Sequence, residues 1–281
     1  MGTTKRERQK QGRQARMAAE LAAQQRRQRI KSARNFGIIV VVIIAALFVL
    51  SRYNKSDKSQ STATSSSASA SPAAFTYGTG ACPNPDGSSP RTIDFSAAPQ
   101  QCIDPSKTYT ATFDTTAGKV VINLDPKTTP GTVNNFVVLA RYHYYDGTQL
   151  FRTAASIGII QGGSPHDNTA SDKGPGYDLP DEGFDYALLP QGANGVTGGP
   201  YTYAPGDLIM ARSAKPNGAS AQFFFGVTDA VSGLNSQGVY VKFGSATQGL
   251  DVLQQVLASA PQDEAPPNPP VTINTVTITE T

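Results

Sequence analysis

The sequence predicts a mainly β protein, a closed antiparallel barrel capped by two α-helices and preceded by a single transmembrane helix. Two observations predict the barrel: many short runs of alternating apolar residues, and frequent Gly or Pro turns with only two helical stretches between them. A third observation, an uncharged apolar run near the N-terminus, predicts the membrane helix.

The N-terminal part of the chain divides into a basic arm and an apolar run. Residues 1–34 hold eleven Lys or Arg and two acidic residues, a net charge of +9, whereas the whole chain carries +3. The charge-free run from Asn35 to Ser51 has seventeen residues, which at ~1.5 Å per residue would form a helix of roughly 25 Å. We predict a transmembrane helix at 35–52, not a cleaved signal peptide, because no small-residue cleavage site follows the run closely.

The charge of the arm also predicts the orientation of the chain. Excess Lys and Arg place residues 1–34 in the cytoplasm and the C-terminal domain outside, as in a single-pass plasma-membrane protein. The arm is then expected to contact anionic lipid headgroups, and nucleic acid is not expected as a partner. The Ser- and Ala-rich residues 53–80 are typical of a flexible linker.

A cysteine-bearing segment, residues 81–106, precedes the main domain at 107–281, and its two cysteines are Cys82 and Cys102. On the outer side of a membrane, a lone pair of cysteines predicts a disulfide, and closing a loop of about twenty residues would contribute roughly 3 kcal/mol. Because the chain has only two histidines, His143 and His166, we predict no metal site and no cofactor.

The main domain begins with a predicted hairpin and a helix. Apolar residues alternate with polar ones on both sides of a turn at 116–118, at positions Tyr109, Ala111, Phe113, Val120, Ile122 and Leu124. Thr129 and Pro130 offer an N-cap and a first-turn proline for a helix that continues through Arg141. Further strands are predicted at 208–211, 222–227, 239–243 and 271–278, with a second helix at 249–257.

Seven short blocks occur in the order and approximate spacing seen in one known family. They are Tyr144-Tyr145-Asp146-Gly147-Thr148, Phe151-Arg152, Gln161-Gly162-Gly163, Gly174-Pro175-Gly176-Tyr177, Met210-Ala211, Gln222-Phe223-Phe224 and Phe243-Gly244. Across residues 108–280 the chain therefore resembles the cyclophilin-type peptidyl-prolyl cis-trans isomerases. Its N-terminal organisation resembles bacterial membrane-anchored members of the actinobacterial type. The resemblance implies an eight-stranded barrel that acts on proline-containing polypeptides, and we expect a monomer.

The chemistry of such a site is rotation about the peptide bond before proline, which has an uncatalysed barrier of ~18 to 20 kcal/mol. Twisting removes the amide resonance, so the prolyl nitrogen becomes pyramidal and can accept a hydrogen bond. A guanidinium directed at that nitrogen would bind the twisted state better than either planar isomer. Arg152 is the candidate for this role, and the resemblance places Gln161 to hold the substrate backbone or to orient Arg152.

The resemblance also implies which side chains contact the substrate. They are Phe151, Ile159, Met210, Ala211, Phe224, Leu234 and Tyr240. Because side chains alternate along a strand, Phe224 is expected to face the pocket while Phe223 and Phe225 enter the core.

Three positions depart from the family pattern. Gly158 stands where an aromatic residue is expected, Gly233 stands where many members carry Trp, and Arg212 lies in the stretch that usually reads Ala-Asn-Ala. These changes predict a thinner apolar wall and an altered rim. Two hypotheses follow: an isomerase that assists the folding of exported or cell-envelope proteins, or a binding module or chaperone of the same fold with little turnover.

Overall fold

The structure is a computed structural model that describes residues 75–192 and 195–281. The predicted basic arm, the predicted membrane helix and most of the linker lie outside these residues. No helix within the described ranges is long and apolar enough to cross a membrane.

The described residues form eleven strands and two α-helices. The strands are β1 (Tyr109–Thr115), β2 (Gly118–Leu124), β3 (Thr148–Gln149), β4 (Arg152–Ala154), β5 (Ile159–Gly162), β6 (Gln191–Gly192), β7 (Gly195–Val196), β8 (Asp207–Arg212), β9 (Ala219–Gly226), β10 (Lys242–Gln248) and β11 (Thr272–Glu280). The α-helices are α1 (Pro130–Arg141) and α2 (Leu250–Ala258), and short 3₁₀ helices occupy Ala155–Ile157, Tyr186–Leu188 and Asp229–Ser236. The predicted hairpin and both predicted α-helices are confirmed, the second helix one residue later than expected.

Nine strands form one antiparallel sheet in the order β3-β11-β1-β2-β10-β8-β9-β5-β4, and β6 pairs with β7 in a separate hairpin. The sheet curls around the core as a half-barrel, so the mainly β class is confirmed. The closed, eight-stranded form is not shown, since no ladder within the described residues joins β3 to β4. Only Leu150 and Phe151 separate these two edges, and their amides bond to Val271 and Gln161 respectively, at 2.9 and 3.0 Å. The chain itself therefore brings the two edges together.

Aromatic side chains fill the core under the curled sheet. Phe223 and Phe225 of β9 are almost completely buried, and their ring centroids lie 5.5 and 5.3 Å from that of Phe113 in β1. Phe136 of α1 packs at 5.3 Å against Phe243 in β10. The predicted alternation in β9 is thus confirmed for its two core residues. Strand β10 begins at Lys242, later than the predicted 239–243. Val239 and Val241 before it are buried, and only the Val241 carbonyl bonds to β8, accepting from the Met210 amide at 2.8 Å.

Helix α1 receives its N-terminal cap from a distant loop. The Glu182 carboxylate accepts hydrogen bonds from the amides of Gly131 and Thr132, both at 2.8 Å. The predicted cap residue, Thr129, makes no side-chain cap, because its hydroxyl donates to the Asp125 carbonyl. The buried helix end is therefore satisfied by a residue that the local sequence pattern does not reveal.

The cysteine-bearing segment packs against α1. Cys82 and Cys102 form a disulfide with their Cα atoms 5.4 Å apart. The Cys102 amide donates to Asn134 of α1 at 2.6 Å, and the Phe75 ring lies against the helix at Gly131, where a Cβ atom would not fit. The disulfide closes a loop within the segment, and the hydrogen bond to Asn134 joins the segment to α1 of the main domain.

Candidate active site

Strand pairing brings three predicted site residues into one row. Arg152 of β4 lies opposite Gln161 of β5, and Gln161 lies opposite Phe224 of β9. Directly opposed residues on neighbouring strands present their side chains to the same face of the sheet. The backbone register therefore places an arginine, a glutamine and a phenylalanine side by side.

A chain of hydrogen bonds fixes the polar part of this row. Arg152 Nη1 donates to Gln161 Oε1 at 2.7 Å, and Gln161 Nε2 donates to Gln222 Oε1 at 2.8 Å. Gln222 Nε2 in turn donates to the Ala170 carbonyl at 3.3 Å. Because a guanidinium has only donors, Gln161 must present its oxygen to Arg152 and its nitrogen to Gln222. The contact therefore sets the orientation of both amide groups.

Arg152 has a second partner that the sequence analysis missed. Its Nε donates to Glu264 Oε2 at 2.5 Å, and its Nη2 donates to Glu264 Oε1 at 3.0 Å. Glu264 lies 112 residues from Arg152 along the chain, in a polar loop whose sequence carries no pattern that relates it to β4. The guanidinium is thus bound on one side by a carboxylate and on another by an amide oxygen.

The row lies along a groove of about 580 Å³. Seven of the nine residues predicted for catalysis and substrate binding line it: Arg152, Ile159, Gln161, Ala211, Phe224, Leu234 and Tyr240. The rings of Phe224 and Tyr240 meet edge to face with centroids 5.6 Å apart. The groove as a whole is large enough to hold a proline ring, and Phe224 and Tyr240 form an aromatic wall on its apolar side.

Phe151 and Met210, the other two predicted residues, do not line the groove. Met210 lies opposite the core residue Phe223 in the pairing of β8 with β9, and it is 1 % exposed. Phe151 is also buried, and its amide donates to the Gln161 carbonyl at 3.0 Å. The structure therefore places both residues among the buried side chains and not in the groove lining.

The rim at the altered stretch is built around Arg212. Its Nη2 donates to Asp181 at 3.0 Å, and its guanidinium lies 3.9 Å from the centre of the Tyr186 ring. The Arg212 side chain is only 4 % exposed. Burial raises the pKa of the nearby Tyr240 hydroxyl, while the positive charges of Arg212 and Arg152 lower it in part. Tyr240 therefore stays protonated at neutral pH and can donate a hydrogen bond into the groove.

Several groove residues were not assigned from the sequence. They are Ile157, Ala170, Asp172, Lys173, Asp178, Arg212, Ser213, Lys215, Gly218, Ser220, Gln222 and Glu264. Gln222 belongs to one of the seven blocks, so its position in a motif was a usable signal. Within residues 75–192 and 195–281, no cluster of three or more His, Cys, Asp or Glu side chains could hold a metal ion.

Comparisons with known proteins show the family to which the chain belongs. Residues 110–278 match the model of the family "Cyclophilin type peptidyl-prolyl cis-trans isomerase/CLD". The chain is 36% identical over 133 residues to peptidyl-prolyl cis-trans isomerase B of Bacillus subtilis, covering 47% of this chain and 79% of that protein. It is 33% identical over 155 residues to peptidyl-prolyl cis-trans isomerase cyp18 of Streptomyces antibioticus, covering 52% of this chain and 82% of that protein.

Among solved structures, the chain is similar to a cyclophilin-type peptidyl-prolyl cis-trans isomerase of Cryptosporidium parvum. The TM-score is 0.46 and the sequence identity is 23%, and the alignment covers 62% of this chain and 99% of that one. The family match spans more than half of the present chain, and both bacterial relatives are covered over more than two thirds of their length. The chain therefore belongs to the cyclophilin family and is a peptidyl-prolyl cis-trans isomerase.

Proposed function

We propose that this isomerase is a membrane-anchored cyclophilin of the actinobacterial type that assists the folding of exported or cell-envelope proteins. The basic arm and the uncharged run that follows it support the anchor and its orientation. The Cys82–Cys102 disulfide supports an oxidising compartment outside the cytoplasm. The relative from Streptomyces supports the actinobacterial assignment.

We further propose that Arg152 stabilises the twisted prolyl amide, and the fixed contact between Arg152 and Gln161 carries this proposal. A guanidinium has five N–H groups, and the hydrogen bonds to Gln161 and Glu264 use three of them. Two N–H groups are left to donate to a substrate. A pyramidal prolyl nitrogen accepts such a bond, whereas a planar amide nitrogen does not, so the interaction favours the transition state.

The apolar wall supplies the other requirement of the reaction. Phe224 and Leu234 can hold the proline ring still while the chain before proline rotates around the bond. The polar row on β4 and β5 lies beside this wall, so one groove can fix the ring and contact its nitrogen. Orientation of this kind lowers the entropic part of the barrier.

The alternative function is a binding module or chaperone for proline-containing segments with little turnover. Two observations favour it. The ion pair with Glu264 already engages Arg152. Gly233, next to the groove residue Leu234, has no side chain, and a Cβ atom at this position would meet no other atom within 4 Å. Such a groove would still bind proline through apolar contacts.

Exchange NMR or a protease-coupled assay with a prolyl peptide separates the two functions. We expect the full-length wild type to accelerate isomerisation and Arg152→Ala to lose about tenfold to a hundredfold in kcat/KM, because a hydrogen bond from a charged donor is lost. Arg91→Ala, which removes an exposed arginine outside the groove, should behave as wild type.

Two results would contradict these assignments. A wild type that binds the peptide without accelerating its isomerisation would favour the binding module. Equal activity of wild type and Arg152→Ala would exclude Arg152 from the reaction.

A further inference from the structure

We propose that Glu264 is a positioning residue for Arg152, and that the loop between α2 and β11 is fixed to β4 in order to present it. The inference rests on the proposed function of Arg152. Its starting point is the two-point contact in which both carboxylate oxygens of Glu264 accept from Nε and Nη2 of one guanidinium. Two-point contacts of this type fix the plane of the guanidinium as well as its position.

The backbone on both sides of Glu264 is attached to the strand that carries Arg152. The Glu264 amide donates to the Thr153 carbonyl at 2.8 Å, and the Thr153 amide and hydroxyl donate to the Ala265 carbonyl at 2.8 and 2.6 Å. Thr153 directly follows Arg152 in β4. Three short hydrogen bonds to Thr153 therefore fix the backbone from which the Glu264 side chain reaches Arg152.

The conformation of Glu264 points to a role for its side chain. Its φ is +65°, in the left-handed region that L residues other than Asn and Asp rarely adopt. Glycine would satisfy this turn without steric conflict. A residue that keeps a long acidic side chain in such a conformation at the edge of a groove is a candidate for function.

Arg152 donates hydrogen bonds to two sides of the site. On one side the donors run from Arg152 through Gln161 and Gln222 to the Ala170 carbonyl, and on the other side Arg152 donates to Glu264. Without Glu264, a guanidinium that is 27 % exposed would keep only its Nη1 bond to Gln161. A single bond allows rotation about its own axis, whereas the two-point contact removes that freedom.

Whether the Glu264 carboxylate raises or lowers the isomerisation rate depends on the charge that develops in the reaction. Twisting the amide exposes a lone pair on nitrogen and creates no net charge on that atom. Catalysis then depends on the direction of a free N–H more than on the net charge of the site. A carboxylate that neutralises Arg152 but fixes its plane should therefore increase the rate.

The test compares kcat and KM for a prolyl peptide in the full-length protein. We expect Glu264→Ala to lower kcat about five- to tenfold and to change KM by less than about twofold, because the contact acts on orientation. Glu264→Gln, which keeps one acceptor oxygen, should retain more activity. The matched control is Asp263→Ala, an acidic neighbour in the same loop whose carboxylate binds the Ser156 amide; its kcat should stay near that of wild type.

Combining Glu264→Ala with a substitution of Arg152 distinguishes positioning of the guanidinium from a structural role of Glu264. Arg152→Lys keeps the charge but cannot form the two-point contact. Adding Glu264→Ala to it should therefore change kcat by less than about twofold.

Three outcomes would overturn the proposal. These are an unchanged or higher kcat for Glu264→Ala, an equal loss for Asp263→Ala, and the same loss in the Arg152→Lys background. A wild type without turnover would instead overturn the proposed function, and this inference with it.

Discussion

Gly158 and Gly233 stand at two positions where the family pattern has aromatic side chains, each next in sequence to a residue that lines the groove, but their surroundings differ. Gly158 has a φ of +66°, and a Cβ atom there would lie 2.4 Å from the Thr228 hydroxyl and 3.1 Å from the Val231 amide. A Cβ atom on Gly233 would meet nothing within 4 Å. The first glycine is required by the backbone, whereas the second is not.

This difference predicts that the same substitution destabilises the protein at Gly158 but not at Gly233. Gly158→Ala should lower the free energy of unfolding by roughly 2 kcal/mol, since it combines a left-handed conformation with a steric overlap. Gly233→Ala should change it by less than about 0.5 kcal/mol, because it adds a methyl group in open space. Denaturant unfolding of the two full-length variants tests both predictions. Equal destabilisation would contradict the claim that the backbone requires glycine at position 158 but not at position 233.

Residues of the site differ in how far the sequence can reveal them. Arg152, Gln161 and Phe224 lie in short motifs on strands, and the pairing register brings them together. Met210 also lies in a motif, but its register places it opposite Phe223 and so in the core. Glu264 has no local signal, because its contact depends on how a loop after α2 meets β4, 112 residues away in sequence.

At the scale of elements, capping shows the limit of local rules. Thr129 followed by Pro130 correctly predicts where α1 begins. The cap itself comes from Glu182, which is 51 residues from Gly131 along the chain. Burial raises the pKa of the Glu182 carboxyl, and its hydrogen bonds to Thr132 and Gly131 oppose that shift. A local motif can thus predict a boundary while the stabilising contact is tertiary.

Both histidines contact the cysteine-bearing segment, residues 81–106, from the isomerase domain. His143 contacts the Asp146 carboxylate through Nδ1 and the Gly87 carbonyl through Nε2, both at 2.8 Å. His166 contacts Asp172 at 2.9 Å and Asp94 at 3.2 Å in the same manner. Because both partners of His143 are acceptors, the His143 ring satisfies both contacts only as the doubly protonated imidazolium.

The contacts of His143 predict a pH dependence of stability. The hydrogen bond to Asp146 is the main cause that raises its pKa; burial opposes it, the Gly87 carbonyl and the Asp146 charge add to it, and Arg91 lowers it. A raised folded-state pKa means that the stabilisation is complete below the unfolded value of about 6.5. It is then lost as the pH rises through the folded value.

The variant His143→Asn tests this prediction without adding backbone strain, since His143 has a φ of +55° and Asn tolerates that region. The thermal midpoint of wild type should be higher than that of the variant, and the difference should be larger at about pH 5.5 than at about pH 8.5. A difference that stays constant across this range would show that the histidine acts by packing and not by protonation.

At the scale of the whole molecule, the strand pattern predicts the mainly β fold class but not whether the sheet closes into a barrel. Alternating residues identify the hairpin of β1 and β2, whose partners are close in sequence. The pairing of β1 with β11, in contrast, joins Tyr109 to Glu280, and nothing local encodes it. The edges β3 and β4 meet through the chain at Leu150 and Phe151, so a sequence that implies a closed barrel folds as a curled sheet whose edges are linked covalently.

The charge distribution gives a further prediction for the whole protein. Residues 1–34 carry +9 and the remaining residues −6, with the uncharged run beginning directly after the arm. The full-length protein should therefore sediment with membranes in cells of its host, resist extraction by salt and dissolve in detergent. In spheroplasts, external protease should degrade the isomerase domain and spare the basic arm.

Two matched double variants make this test specific. Val42→Arg with Ile44→Arg places two charges in the middle of the run, at a cost of about 2.5 to 3.5 kcal/mol each, and should abolish membrane insertion. Ser56→Arg with Ser59→Arg adds the same charge to the linker and should leave insertion unchanged. An isomerase domain that external protease cannot reach in intact spheroplasts would contradict the outer location. It would also contradict the proposed role, because exported proteins would then fold on the opposite side of the membrane.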